Sequence, residues 1–458
     1  MPAGDDETGN VLRSSGIPAE IATHQLMSPP SRTILRLLAA ACLAAVTALL
    51  ASCREKTQPA NPQASTAVPV RVDGSRGMLR DGKPYFVKGA GGGGSMEQLA
   101  ARGANSIRTW TTNGLAETLD QAEKLGLTIS AGIWLEHECS WFSYGNPEHC
   151  AKQIERVRKE VTAFRDHPAL LAWGLGNEVE GDGTNTAFWQ QLDRLARLVK
   201  ELDPAHPTFT AVAGMNLAKA AGMNAHAPNL DYVGINTYGG VFGLRKHLDK
   251  IGWKRPWMLT EWGPRGFWES PQSESGAPLE QTSSEKAEMI GKAYQKVISP
   301  DGGCLGSYVF VWGWKFEATA TWFGIITHEG ETTAVADALQ EVWGGGRPAN
   351  RAPAIEPMDG VPESAVAASH TFEAGAAAMD PDGDPLAWHW AVIPEQKNGH
   401  AAHKQMPMPK SVPDSIVEAA GGRASVKAPE KPGIYRLHVW VKDGKGHAAT
   451  ANKPFEVR

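Results

Sequence analysis

The chain has 458 residues, of which 45 are basic and 50 acidic, so its formal net charge is −5. This balance excludes the concentrated basic surface that nucleic-acid binding requires, and a hydrophobic content of 42 % excludes wholesale disorder. The length exceeds that of one ordinary domain and favours one domain of about 250–300 residues with a smaller domain beside it.

The N-terminal region has the pattern of an export signal. Residues 37–50 (LLAAACLAAVTALL) form an uncharged apolar run preceded by Arg32 and Arg36, which is short for a membrane span and typical of a signal-peptide core. The run ends at Leu-Ala-Ser-Cys53, which resembles a bacterial lipobox. An ordinary secretory signal with an incidental cysteine is the alternative, and Met27 offers a second start site.

We therefore expect residues 1–53 to be an N-terminal extension and signal peptide and Cys53 to be lipidated. Residues 54–67 are polar and rich in Pro and Ala, which predicts a flexible tether. The predicted location is the bacterial cell envelope, with the protein anchored to a membrane by lipid and facing the periplasm or the outer membrane.

Export places the remaining cysteines where disulfides can form. Cys139 and Cys150 lie in one short, turn-rich loop, which predicts a local disulfide between them. A metal site that also uses His137 and His149 is the alternative, although the spacing matches no structural zinc pattern. Cys304 opens an apolar segment and is expected to be a buried thiol.

Residues 68–346 alternate between short apolar runs and longer segments with helical spacing. A small hairpin over 68–72 and the DGKPYF segment comes first. Eight strands are predicted at 85–88, 105–110, 128–135, 170–175, 208–213, 232–236, 257–261 and 305–312. Helices are predicted between or after them at 117–124, 153–164, 188–202, 286–298 and 335–342. The alternation is that of an α/β fold, a (β/α)8 TIM barrel.

A doubly wound open sheet is the alternative fold. The glycine run at 89–94 could suggest a dinucleotide-binding turn, but no acidic residue follows a second strand at the required distance. The glycines are better explained as allowing the first loop to lie close to the barrel mouth, and no cofactor is expected.

Residues 347–458 lose the alternation and instead contain short strands, for example at 386–392 and 435–441, which predicts a small all-β, immunoglobulin-like sandwich. The segment with Asp380, Asp382 and Asp384 resembles polycystic-kidney-disease and cadherin-like modules, which are usually accessory spacers. These three carboxylates are candidate Ca²⁺ ligands. A plain Asp-Gly turn is the alternative, and the sequence favours it.

Two carboxylates follow different strands of the predicted barrel. Glu178 comes after the fourth strand, next to Asn177, and Glu261 ends the seventh. Active sites lie at the carboxyl ends of barrel strands, where Arg108 and Tyr238 also fall. Glycosidic cleavage needs one protonated and one ionised carboxyl group, and a nearby arginine favours the ionised form.

These motifs resemble the retaining glycoside hydrolases of clan A. The segments GNEVE and LTEWGP are most similar to the catalytic barrel of family-two β-glycosidases, with likeness to β-glucanase and β-glucanosyltransferase barrels, although the domains that normally precede the family-two barrel are absent. The resemblance implies Glu178 as acid/base and Glu261 as nucleophile. It also implies a role for each of four neighbours: Asn177 as the 2-hydroxyl contact, Arg108 and Tyr238 as partners of the nucleophile, and Trp312 as the floor under the sugar.

Trp134 and Trp262 lie near strand ends and are candidate sugar-binding residues, with core packing as the alternative. Together these features predict a retaining glycosidase acting on a β-linked oligo- or polysaccharide, with β-glucan suggested by the resemblance alone. The two carboxyl groups should lie about 5–5.5 Å apart, and no metal is required for the reaction. A transglycosylase using the same residues, a non-catalytic glycan-binding lipoprotein and an envelope scaffold are the alternatives.

Overall fold

The computed structural model describes residues 66–74, 77–396 and 406–458. The predicted signal peptide, Cys53 and most of the predicted tether lie outside these residues. The first described element is a three-stranded antiparallel sheet of β1 (Val70–Asp73), β2 (Gly77–Arg80) and β3 (Lys83–Pro84). It extends the predicted hairpin by one strand.

Eight parallel strands then close into a barrel. In chain order they are β4 (Val87–Gly91), β5 (Ser106–Arg108), β6 (Thr128–Ile133), β7 (Leu170–Asn177), β8 (Thr208–Ala213), β9 (Tyr232–Asn236), β10 (Trp257–Trp262) and β11 (Cys304–Phe310). The ring closes where β11 pairs with β4. Most of these strands are buried along their whole length, because parallel strands are covered on both faces and need a continuous apolar run.

Helices follow most of the strands. They are α1 (Met96–Ala101), α2 (Leu115–Lys124), α3 (Pro147–Phe164), α4 (Thr186–Leu202), α5 (Leu217–His226), α6 (Leu244–Lys250), α7 (Ser283–Val297) and α8 (Ala334–Trp343). Several begin at side-chain caps: Asn146 and Asn185 accept from the first turns of α3 and α4, and Thr282 and Glu285 form a capping box on α7.

The remainder of the described chain is all-β. Its strands are β12 (Ala354–Ile355), β13 (Thr371–Gly375), β14 (Ala378–Met379), β15 (Ala387–Pro394), β16 (Ile416–Ala420), β17 (Arg423–Lys427), β18 (Gly433–Lys442) and β19 (Ala448–Val457). They form the sheets β15-β18-β19 and β13-β17-β16 and the pair β12-β14, which enclose their own apolar core. The prediction of a (β/α)8 barrel followed by an all-β region is thereby confirmed.

The predicted division between 346 and 347 falls between α8 and β12 and stays a prediction. Within the described ranges, no helix has both the length and the apolar composition that a bilayer span requires.

The glycine-rich loop after β4 lies against the end of the last barrel strand. Gly94 donates its backbone N–H to the Trp312 carbonyl at 2.9 Å. At Gly92 the backbone has a φ of +135°, and a Cβ would lie 2.2 Å from the same carbonyl oxygen. Only glycine fits this approach, which agrees with the close contact to the mouth expected from the sequence.

The predicted disulfide between Cys139 and Cys150 is not formed. Cys150 lies on the first turn of α3, is buried and directs its thiol to the Tyr144 carbonyl at 3.4 Å. Cys139 is exposed on the preceding loop, where its backbone pairs with Phe142. The helix therefore turns one sulfur inward while the loop leaves the other in solvent. Cys304 is a buried free thiol, as predicted.

A buried polar cluster joins the all-β region to two loops of the barrel. Glu280, in the loop between β10 and α7, pairs with Lys286 at 2.5 Å and accepts hydrogen bonds from Thr321 at 2.8 Å and from Asn452 of β19 at 2.7 Å. Burial alone would raise the pKa of Glu280, but the Lys286 ammonium and the hydrogen bonds outweigh it and lower the pKa to about 2.

Replacing Glu280 with Gln should destabilise the fold by about 3–5 kcal/mol, because it leaves the Lys286 ammonium buried without its counter-charge. Chemical denaturation of the purified protein measures the loss. Glu288→Gln is the matched control, since Glu288 lies on α7, the helix of Lys286, in an exposed pair with Lys292 and should change stability by less than about 1 kcal/mol.

The pH dependence separates the two variants further. Because folding lowers the pKa of Glu280 from 4.5 to about 2, its contribution is complete above the unfolded pKa and is lost as the pH falls from 4.5 towards 2. The wild-type protein should lose stability over this interval more steeply than Glu280→Gln. Equal slopes would contradict the assignment.

Candidate active site

The carboxyl ends of the barrel strands surround a cavity of about 1050 Å³. Its walls include both predicted catalytic carboxylates, Glu178 and Glu261, together with Asn177, Tyr238 and Trp134. Side chains from β5, β7, β9 and β10 therefore meet at one mouth, as the barrel topology predicts.

Glu261 is held by three donors. Its Oε1 accepts from the Arg108 guanidinium at 2.8 Å and from the Trp110 indole N–H at 2.7 Å, and its Oε2 accepts from the Tyr238 hydroxyl at 3.1 Å. Burial, and then the charge of Glu261, raise the pKa of Tyr238 well above its ordinary value, so this phenol stays protonated and donates. A charged donor and two neutral ones suit an ionised carboxylate.

Arg108 joins this carboxylate to Asn177 at the end of β7. It is almost fully buried, donates to the Thr260 carbonyl at 2.9 Å and to Asn177 Oδ1 at 2.6 Å, and its guanidinium lies 5.1 Å from the Trp110 ring centre. Five donors in a fixed plane allow one arginine to meet all these groups. The interpretation of Arg108 as a partner of Glu261 agrees with this geometry.

Asn236 completes the link to Glu178. Its Nδ2 group donates to Glu178 Oε1 at 2.8 Å and to Asn177 Oδ1 at 3.1 Å, while its own Oδ1 accepts from Thr260 at 2.7 Å. A continuous hydrogen-bonded row thus runs from one carboxyl group, through two amides and Arg108, to the other. The row fixes the orientation of the Asn177 amide.

Burial raises the pKa of Glu178, and the negative charge of Glu261 raises it further, against the hydrogen bond from Asn236. The two carboxyl groups therefore differ in environment: one faces a guanidinium, and the other faces an amide and a like charge. Such a difference separates an acid from a nucleophile in one cavity.

The backbone at Glu178 is strained. Its φ is +55°, a left-handed conformation that is rare outside glycine and persists where the surroundings enforce it. Glu180, two residues on, accepts from Lys219 at 2.7 Å and from the backbone N–H of Ala213 at 2.9 Å. This buried pair ties the loop after β7 to the end of β8, so Glu180 is a positioning residue rather than a loop charge.

Two of the predicted aromatic contacts are wrong. Trp262 is fully buried and packs against Tyr294 of α7, because neighbouring residues of a strand point to opposite faces and Glu261 already points inward. Trp312 is 1 % exposed, and its indole donates to the Ser95 carbonyl beneath the first loop. Phe310, at the end of β11, lines the cavity in its place.

Several residues that line the cavity or bond its carboxylates were not predicted. They are Trp110, Asn236, Phe267, Phe310, Lys315 and Glu317. Trp110 and Asn236 could have been predicted from the sequence, since each lies two positions from a predicted site residue at a strand end. Phe310 ends β11, whereas Phe267, Lys315 and Glu317 belong to long loops, whose path a strand pattern does not specify. Lys315 and Glu317 pair with each other at 2.5 Å.

A family model described as "Glycosyl hydrolases family 2, TIM barrel domain" matches residues 96–266. The matched segment contains both Glu178 and Glu261. This segment of the barrel is similar to the barrels of that family. The prediction of a glycosidase fold for this part of the chain is therefore confirmed, and cleavage of O-glycosyl bonds is the chemistry associated with it.

Curated relatives match shorter segments. "Probable mannan endo-1,4-beta-mannosidase F" of Aspergillus flavus is 24 % identical over 136 residues, which cover 24 % of this chain and 29 % of that protein. A protein of the same name from Neosartorya fischeri is 34 % identical over 62 residues, which cover 13 % of this chain and 14 % of that protein. The chain thus spans less than a third of the curated relatives it matches.

Solved structures with a similar fold include two β-glucuronidases. The Dictyoglomus thermophilum enzyme has a TM-score of 0.48 at 19 % identity, covering 60 % of this chain and 53 % of that one. The Bacteroides uniformis enzyme has a TM-score of 0.47 at 15 % identity, covering 85 % and 48 %.

Replacing Glu261 with Gln should lower the pKa of Glu178, because it removes the like charge that disfavours the ionised form. The carboxyl signal of Glu178, followed through a pH titration by difference infrared or ¹³C NMR spectroscopy, measures the change. Glu288→Gln, at an exposed position of α7, should leave the titration of Glu178 unchanged. A Glu178 pKa that stays constant or rises in Glu261→Gln would contradict the electrostatic coupling.

Proposed function

We propose that this protein is a retaining glycosidase that cleaves a β-linked glycan through a covalent glycosyl-enzyme. The observation that supports it most strongly is the pair of unlike carboxyl groups in one cavity. Glu261 accepts hydrogen bonds from Arg108, Trp110 and Tyr238, whereas Glu178 is buried and its pKa is raised. Binding a sugar without turnover would need no such division.

In the first step, Glu261 attacks the anomeric carbon while the bond from that carbon to the leaving oxygen breaks. The proton of Glu178 passes to the leaving oxygen, so the departing sugar leaves neutral. In the second step, Glu178, now ionised, takes a proton from water, and the hydroxyl oxygen attacks the anomeric carbon and releases Glu261. Both enzyme groups return to their starting states.

Asn177 is proposed to contact the hydroxyl next to the anomeric carbon. Its Oδ1 is occupied by Arg108 and Asn236, which fixes the amide and leaves Nδ2 as the donor for substrate. A hydrogen bond at this hydroxyl strengthens as positive charge develops on the sugar ring, and it can supply several kcal/mol in the transition state.

The cavity walls suit a pyranose. Besides Tyr238, five of the lining residues are aromatic: Trp110, Trp134, Phe267, Trp268 and Phe310. Their faces can cover the apolar faces of sugar rings, while amide and carboxyl groups reach the hydroxyls. For the glycan itself, β-glucan is proposed from the sequence resemblance. β-Mannan, named for the curated relatives, is the alternative substrate that an experiment has to distinguish from it.

The purified protein should shorten at least one member of a panel of β-glucan, β-mannan and β-glucuronide oligosaccharides, with product lengths read by mass spectrometry. Glu178→Ala and Glu261→Ala should each lose roughly 10³-fold or more in kcat. Glu138→Ala, on the loop after β6, is the control and should retain activity. Products longer than the substrate would assign a transglycosylase instead.

Azide separates the two roles. In Glu178→Ala it should attack the glycosyl-enzyme and give a β-glycosyl azide, since a second inversion restores the original configuration. In Glu261→Ala it should take the place of the missing nucleophile and give the α-glycosyl azide. Equal loss in both variants with no azide product, or full activity in either, would overturn the proposed mechanism.

We further propose that lipid on Cys53 anchors the protein to a membrane of the bacterial cell envelope. The support is the order of basic residues, apolar run, small residues and cysteine over positions 32–53. Cys53→Ala should move the protein from the membrane fraction to the soluble fraction on cell lysis and remove labelling by a fatty-acid probe. Unchanged membrane association in that variant would contradict the anchor.

A further inference from the structure

A second cavity opens beside the catalytic one. It has a volume of about 570 Å³ and lies between the glycine-rich loop after β4 and the loop after β11. Sites for small ligands commonly measure about 300–1,000 Å³. Val311 and Lys315 line both cavities. The two spaces therefore adjoin, and a chain that leaves the catalytic cavity past these two residues enters the second.

The two loops that form the second cavity are bonded to each other. Trp312 donates its backbone N–H to the Gly91 carbonyl at 2.8 Å and its indole N–H to the Ser95 carbonyl at 2.8 Å, while Gly94 donates its backbone N–H to the Trp312 carbonyl at 2.9 Å. Walls that are already held in place cost little ordering free energy when a ligand binds. The cavity is thus preformed.

The lining of the second cavity suits a sugar. Trp314 contributes an aromatic ring, and Gln98 and Lys315 contribute polar side chains. An aromatic face can cover the apolar face of a sugar ring, and amide and ammonium groups can bond its hydroxyls. The Lys315 ammonium lies 5.1 Å from the ring centre of Phe310, which lines the catalytic cavity, so Lys315 marks the boundary between the two spaces.

Gly93 keeps this space open. It lines the second cavity, its backbone is not left-handed, and a Cβ at this position would have no described atom of the protein within 4 Å. Unlike Gly92, it is therefore required neither by the backbone nor by packing. A glycine without such a constraint on a cavity wall allows a ligand to approach the backbone closely.

The order of the strands shows which part of a substrate this cavity would hold. In the closed ring, β10, which carries Glu261, is next to β11, whereas β7, which Glu178 follows, is three strands from β4 and four from β11. Glu178 is the proposed donor to the leaving sugar, so that sugar lies on the side of β7. The second cavity lies on the other side, towards which the part of the chain that stays on Glu261 extends.

We propose that the second cavity binds the sugar next to the one that Glu261 attacks, on the side that stays bonded to the enzyme. This inference rests on the proposed function and deepens it: the substrate is a chain with at least two sugars on that side, and single terminal sugars are poor substrates. Binding energy from a remote sugar can lower the barrier at the reacting bond.

Release of 4-nitrophenol from aryl glycosides tests the site. The probes are the 4-nitrophenyl β-glucoside and β-mannoside and their two-sugar counterparts, the β-cellobioside, β-laminaribioside and β-mannobioside. For wild-type protein, kcat/KM should be at least roughly tenfold higher for a two-sugar probe than for its one-sugar counterpart.

Gly93→Phe should fill the second cavity and lower this ratio at least about fivefold, because the remote sugar loses its site. Gly291→Phe is the matched control and should keep the ratio, since Gly291 lies on α7 and a Cβ there also meets open space. Gln98→Trp should fill the cavity from α1 and lower the ratio likewise, with Gln190→Trp, at an exposed position of α4, as its control.

Far-ultraviolet circular dichroism confirms that each variant is folded. A ratio near one in wild-type protein, or an unchanged ratio in both filled variants, would overturn the second sugar site and leave the proposed function in place. Cleavage between the two sugars of a probe, instead of release of 4-nitrophenol, would overturn the assignment of the side. If no probe reacts, the inference fails; if the oligosaccharide panel is also left intact, the proposed function fails with it.

Discussion

The active site depends on the buried ion pair between Arg108 and Glu261. A carboxylate taken out of water is unstable unless a counter-charge and further donors replace its solvent, and here the guanidinium, Trp110 and Tyr238 do so. Once Glu261 is held ionised, its charge disfavours a second ionised carboxylate nearby. The raised pKa of Glu178 is thus partly a consequence of this pair, and one interaction gives two identical side-chain types unlike environments.

The all-β region contributes to the same site through the loops on which it packs. Glu280 follows the loop that carries Phe267 and Trp268, and Thr321 follows the segment that carries Lys315 and Glu317; both contact Asn452 of β19. Long loops without regular structure carry little intrinsic order. If the all-β region were only a spacer, it would need no buried charged group in its contact with these loops. Its packing on the loops is therefore better understood as support for the cavity wall.

The sequence was sufficient for the barrel, since continuous apolar runs and three-to-four spacing identify its strands and five of its helices. Helix α5 was not predicted, because its buried residues are Lys219, Ala220 and Met223 rather than a continuous apolar stripe. Strand ends identified Glu178, Glu261 and Arg108. The sequence predictions were wrong where the direction of a side chain decides whether it faces the cavity. Trp262 follows Glu261 on the strand and so points to the opposite, buried face, and the turn after β11 buries Trp312. In the acidic turn before β15, Asp382 pairs with the Arg351 guanidinium, while an oxygen of Asp443 lies within 4.8 Å of oxygens of Asp380 and Asp384 only through tertiary contact, which spacing along the chain does not reveal.

The geometry at Glu178 shows why a well-formed barrel alone does not make this site. Its left-handed backbone costs about 1–3 kcal/mol, so the loop would relax unless neighbouring contacts opposed it. Two contacts with β8 and α5 prevent this relaxation. The Glu178 backbone N–H donates to the Ala211 carbonyl at 2.8 Å, and Glu180 pairs with Lys219. Because these contacts act on the backbone on both sides of the carboxyl group, they fix its position in the cavity. The position of the proposed acid therefore rests on elements that follow it in the chain, and a barrel that kept every cavity residue but lost this tie should lose catalytic rate before it loses sugar binding.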